Sequence, residues 1–127
     1  MDTKYLNKID GLCGNDDCGQ MSAWYVLSAM GFYPVCPGTD QYVLGVPYFE
    51  KMTVRLENGK NLTIKAKNFT QKNIYVQSVS LNGKNFPMAY ITQKEIVDGG
   101  ELEFVLGPKP NKKRVFTEEQ RPFSMTK

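Results

Sequence analysis

The chain has 127 residues, of which 41% are hydrophobic and 12% aromatic, enough apolar side chain for one packed core and too much for wholesale disorder. Its formal charge of +3 is unevenly placed: Pro108 to Lys127 carries six cations against two carboxylates, which leaves the remainder near neutral. Histidine is absent, which excludes Ser-His-Asp and Cys-His catalysis and His-based metal sites, and no apolar run approaches the roughly 18 residues of a membrane span.

Residues 1–19 are polar and rich in Gly and Asp, and Met1 to Lys8 holds no apolar signal-peptide core. Cys13, Cys18 and Cys36 are too few for a disulfide scaffold and, without His, make a poor zinc site; they read as small buried hydrophobes. Asp17-Cys18-Gly19-Gln20 has the form of a capping box and predicts a helix of about twelve residues. Gly31 stands as its left-handed terminator, and Pro34 forbids continuation. Between them, Met21 to Met30 is apolar all the way round, broken only by Ser22 and Ser28. A surface helix carries a polar stripe, whereas one apolar on every side calls for neighbours on every side. The chain offers no second helix of comparable length, so this helix is expected to be buried in a larger assembly.

Short strands follow. Met52, Val54 and Leu56 alternate with polar residues, Asn58-Gly59 turns, and Leu62, Ile64 and Ala66 alternate on the return. A strand over Ile74 to Leu81 turns at Asn82-Gly83 into a further one over Asn85 to Tyr90. Thr92 to Glu95 forms a second capping box over one helical turn, and Asp98-Gly99-Gly100 leads into a last strand with Leu102, Phe104 and Leu106 inward. Half-buried strands at this spacing predict a small antiparallel, sandwich-like segment. Asn61 and Asn68 begin Asn-x-Thr sequons, which matter only in a glycosylating host. The basic tail reads as solvated linker rather than a nucleic-acid-binding arm, since its cations are not interleaved with aromatics on a folded face.

The chemistry-bearing stretch is Gly14-Asn15-Asp16-Asp17-Cys18-Gly19-Gln20. A carboxylate at a helix N-terminus is held ionised by the dipole and by N–H donors, the state a general base needs at neutral pH. The same Asp17 could serve only as a cap. A calcium loop starting at Asn15 fails, because its fifth, sixth and twelfth positions are Gly19, Gln20 and Val26.

The run from Gly11 through the helix to Gly38, with its Gly14-Asn15-Asp16-Asp17 core, closely resembles the C-terminal signature of glycoside hydrolase family 92. The resemblance continues through Tyr42 to Phe49 and the strands as far as Lys113. These are bacterial calcium-dependent exo-α-mannosidases, common in Bacteroides-type organisms and often labelled α-1,2-mannosidases. The resemblance implies an α+β fragment of a large enzyme. Residues 1–40 would be the end of an (α/α)₆ catalytic barrel, with the buried helix its last; 41–107 the closing antiparallel β segment; and 108–127 a flexible basic tail. The family inverts configuration, so acid and base stand about 6.5–9.5 Å apart around a water. By the motif, Asp17 would be the general base. Asn15, where other members carry Asp, could only orient the water, and Asp16 would line the sugar site. The general acid would lie upstream, so these residues alone should hydrolyse little. The calcium implied for the parent has no ligands assignable here, and a periplasmic or outer-membrane address would sit outside this sequence.

Two other readings stay open. A non-catalytic β module would bind carbohydrate through Tyr48, Phe49, Phe69, Tyr75 and Tyr90, residues more simply read as core. An interaction protein would self-associate, or dock into a partner, through the Met21–Met30 helix.

Overall fold

The computed structural model describes residues 19–34, 36 and 38–124, arranged as one main helix and two sheets. Helix α1 spans Gln20–Met30. Its N-cap is Gly19, in the left-handed region and without a side-chain cap bond, so the α-helix opens later than the Asp17 capping box implied, with Gln20 as its first residue. Asp17 itself lies outside the described residues. At the other end the expectation holds: Gly31 takes φ 93° and its N–H closes onto Leu27 and Ser28 carbonyls. A side chain there would suffer twice, from the left-handed backbone and from Pro47, whose Cγ lies 3.0 Å from where a Cβ would stand. Two further carbonyls are taken up by the chain returning past the helix, with Tyr48 N–H donating to Ala29 O (2.9 Å) and Gly45 N–H to Gly31 O (2.7 Å).

The first sheet is antiparallel, in the order β1 (Phe32–Tyr33), β2 (Gln41–Leu44), β7 (Tyr90–Thr92). The second has the order β3 (Lys51–Arg55), β4 (Asn61–Lys67), β8 (Gly100–Gly107), β5 (Tyr75–Leu81), β6 (Lys84–Asn85). Hairpins β3–β4 and β5–β6 fall on the two Asn-Gly turns; at the second, Asn82 and Gly83 have φ 54° and 81°, the positive pair that a type I′ turn requires. The all-antiparallel expectation is corrected at the centre of this sheet, where β4 and β8 run parallel, Ile64 opposite Leu102 and Ala66 opposite Phe104. Alternation within each strand cannot reveal the direction of its neighbour, because the inward face is the same either way. The predicted Asn85 to Tyr90 strand also divides. Pro87 has no N–H to give a ladder, and beyond it the chain crosses to the first sheet as β7.

One apolar core joins both sheets: Met30, Phe32 and Ile91 from the helix end and the first sheet, with Leu62, Ile64, Ala66, Val79, Leu102, Phe104 and Leu106 from the second. Phe32 meets Tyr42 edge-on at 5.8 Å. On the outer face, Lys65 and Lys67 reach Glu101 (3.0 Å) and Glu103 (3.3 Å), each two residues from the direct partner and so a diagonal neighbour on the same face. The Thr92 box forms as read: its hydroxyl accepts from Glu95 N–H while the Glu95 carboxylate accepts from Thr92 N–H, and α2 runs over Gln93–Asp98.

Beyond β8, residues up to Ser124 return along the sheets. A bulge between Val76 and Ser78 frees Gln77, whose amide donates to Lys109 O (2.6 Å) and whose carbonyl accepts from Asn111 Nδ2 (3.0 Å). Ala89 N–H donates to Gln120 O (2.8 Å), and Phe123 N–H to the Gln41 side chain (2.6 Å).

Candidate functional site

Asn15, Asp16 and Asp17 precede α1 and lie outside the described residues, as do Cys13 and Cys18. What is described is the platform immediately after them. Gly19 in a left-handed conformation turns the chain into α1, whose first-turn N–H groups supply the positive end of the helix. The last turn is anchored in the core through Ala29 and Met30, with Leu27 packed against it. The site stretch therefore enters a helix fixed at its far end.

The described residues cover the rest of that helix only in part, and the further neighbours expected for it are not among them. Among the described residues only Ala29 and Met30 are buried; Ala23 is exposed, Trp24 is 37% exposed and Val26 51%. The physical reason is the fold itself, since β1 and the returning Gly45–Tyr48 segment meet α1 only near its C-terminal end. A helix lacking a polar face is thus left with apolar side chains in solvent.

A second apolar surface lies where the chain leaves the helix. Val46, Pro47 and Tyr48 line one side of a groove of about 640 Å³, and Phe69 and Ile74, with the polar Thr70, Gln71 and Asn73, the other, with Leu106 from the core between them. Tyr48, Phe49, Phe69 and Tyr75, more simply read as core, are instead each about two-fifths exposed; Tyr48 and Phe49 meet edge-on at 5.2 Å. Val46 and Ile74, 40% and 56% exposed, complete the patch.

Arg114 is a further feature that pattern did not single out. It lies over the Phe116 ring at 4.7 Å, and its Nη2 is buried without a hydrogen-bond partner. Burial pulls its pKa below the ordinary guanidinium value. Cys36 is half-buried. Among the described residues no three His, Cys, Asp or Glu side chains come together as a metal site. No described helix is long and apolar enough to cross a membrane.

Comparison with known proteins places this arrangement. Residues 1–108 match the model of the glycosyl hydrolase family 92 catalytic domain. The fold superposes on the family GH92 α-mannosidase BT3965 of Bacteroides thetaiotaomicron, solved in complex with mannoimidazole, with TM-score 0.88 and 48% identity over 98% of this chain. It superposes on the GH92 inverting mannosidase BT2199 of the same organism with TM-score 0.85 and 42% identity over 99% of this chain. A curated relative, an uncharacterized secreted glycosidase of Arthroderma benhamiae, is 34% identical over 108 residues, or 83% of this chain. The chain spans only 16% and 17% of the two mannosidases and 14% of the fungal relative. The α+β fold, with one main helix and a mixed second sheet, agrees with these matches, and the chain belongs to glycosyl hydrolase family 92.

Proposed function

We propose that this chain is the closing part of an inverting α-mannosidase that hydrolyses terminal α-mannosides, α-1,2-linked ones first, and that it contributes the general base. The observation carrying the proposal is the match over nearly the whole chain to an α-mannosidase solved with mannoimidazole, together with the acidic stretch leading into a helix that exposes apolar side chains such as Val26. In this reading Asp17 accepts a proton from the attacking water on the face of the sugar opposite the leaving group. Asn15, which cannot take a proton, orients that water through its amide, and Asp16 lines the sugar site. A general acid from polypeptide outside these residues protonates the departing oxygen, with the two carboxyl groups about 6.5–9.5 Å apart. Calcium, implied for the family, would be held outside the described residues, and no step here runs through it. An exported enzyme is the matching address, supported by the relative named as secreted.

The test uses the complete enzyme that carries this sequence. Asp17→Asn should lower kcat by several orders of magnitude while near-ultraviolet circular dichroism stays unchanged, and proton NMR of the unmutated enzyme should show β-mannose as the first product. Turnover within tenfold of the parent, or α-mannose first, sinks the base assignment.

A further inference from the structure

Both Asn-Gly pairs of the sequence, Asn58-Gly59 and Asn82-Gly83, lie in hairpin turns, and all four residues are exposed. Asn-Gly is also a reactive pair. Glycine puts no side chain over its own nitrogen, so that nitrogen can approach the asparagine Cγ and expel ammonia. Exposure does not separate the two pairs; their hydrogen bonds do.

At the first pair every reacting group is engaged. Asn58 Nδ2, the leaving nitrogen, donates to Val97 O (2.8 Å), and Asn58 Oδ1 accepts from Lys60 N–H (3.0 Å). The attacking nitrogen, Gly59 N, donates its hydrogen to Leu56 O (3.0 Å). Attack needs a free nitrogen and a rotated side chain, so three bonds have to break first. Asn82 is tied differently. Its Oδ1 accepts from Glu101 N–H (2.9 Å), and its own N–H donates to Glu101 O (2.8 Å). Among the described residues neither Asn82 Nδ2 nor Gly83 N–H has a hydrogen-bond partner. The bond to Oδ1 draws electron density from Cγ, the atom to be attacked, and favours negative charge on that oxygen as the bond to nitrogen forms.

We propose that Asn82-Gly83 is a site of spontaneous covalent modification, passing to isoaspartate while Asn58-Gly59 is kept intact by its hydrogen bonds. Gly83 N bonds to Asn82 Cγ and gives up its proton. The Cγ–Nδ2 bond breaks, and Nδ2 takes up that proton through water and leaves as ammonia. Water then opens the cyclic imide at one of its two carbonyls, giving aspartate or isoaspartate; nothing is oxidised or reduced, and water is the sole co-reactant. The two products differ in consequence. Aspartate keeps an oxygen for Glu101 N–H. Isoaspartate routes the main chain through the former side chain, lengthens a two-residue turn by one carbon, and withdraws the oxygen that lies against Gly100 and sets β5 beside β8.

The test ages the complete enzyme that carries this sequence at mildly alkaline pH, native and in urea, and maps its peptides by mass spectrometry. In the native enzyme the Asn82 peptide should convert about tenfold faster than the Asn58 peptide, or more, since two additional hydrogen bonds guard Asn58. In urea the two rates should converge. Asn58 converting as fast as Asn82 in the native enzyme overturns the inference, as does a native enzyme that keeps both pairs while the unfolded one loses them. A gap that persists in urea assigns the preference to neighbouring residues and overturns it too. The isoaspartate fraction, separated by ion exchange, should exchange amide hydrogens in Tyr75–Leu81 severalfold faster than the unaged enzyme, with Asn82→Asp exchanging at the parent rate. Parent-like exchange in the isoaspartate fraction overturns the loss of register.

Discussion

Single residues carry sharply different constraints here, and the difference lies in what surrounds them. Gly100 has φ 114°, and a Cβ added to it would collide with the Asn82 side chain, whose Oδ1 accepts from Glu101 N–H at 2.9 Å. Gly100→Ala therefore combines backbone strain with loss of the bond that registers β5 against β8, and should cost more than about 1–2 kcal/mol in urea denaturation. Thr92→Ala removes one half of a reciprocal cap and should cost about 1 kcal/mol, with Thr92→Ser recovering most of it. The Thr92 cap was legible because its partner is three residues away in the chain. The Gly100 constraint was legible only as a turn; that the turn packs on Asn82, eighteen residues earlier, depends on strand pairing.

For the elements, the question is which pairings hold the domain and which decorate it. Phe104 is fully buried at the centre of β8, between β4 and β5, so Phe104→Ala should cost about 3–5 kcal/mol. Lys67→Ala breaks an ion pair whose lysine side chain is 64% exposed, and should change stability by less than about 1 kcal/mol. Gln77 ties the stretch after β8 to the β5 bulge; Gln77→Ala should leave the melting temperature within a few degrees while speeding tryptic cleavage after Lys112 and Lys113 severalfold. Hairpins and the inward faces of β4 and β8 were readable from alternation. The parallel β4–β8 pair, the division at Pro87 and the path of residues 108–124 were not, because each depends on side-chain-to-backbone bonds or neighbours more than thirty residues distant in the chain.

Over the whole molecule, apolar surface is the dominant physical fact. Trp24 and Val26 on α1, and the groove residues beyond its C-terminus, are left in contact with solvent among the described residues. In the enzyme that carries this sequence, Val26→Asp should lower the melting temperature by several degrees or more, whereas Val115→Asp, in the stretch after β8, should leave it nearly unchanged; equal shifts would deny α1 a neighbour. Sequence alone settled the existence and ends of most elements, the lack of a polar face on α1 and the family motif around Asp17, because helix caps, turns and periodicity act over a few residues. Tertiary structure alone decided the strand order, the direction of β8 beside β4 and the apolar groove beside the α1 C-terminus. Those depend on which distant segments meet, and a hydrophobic residue states only that it should be covered, never by what.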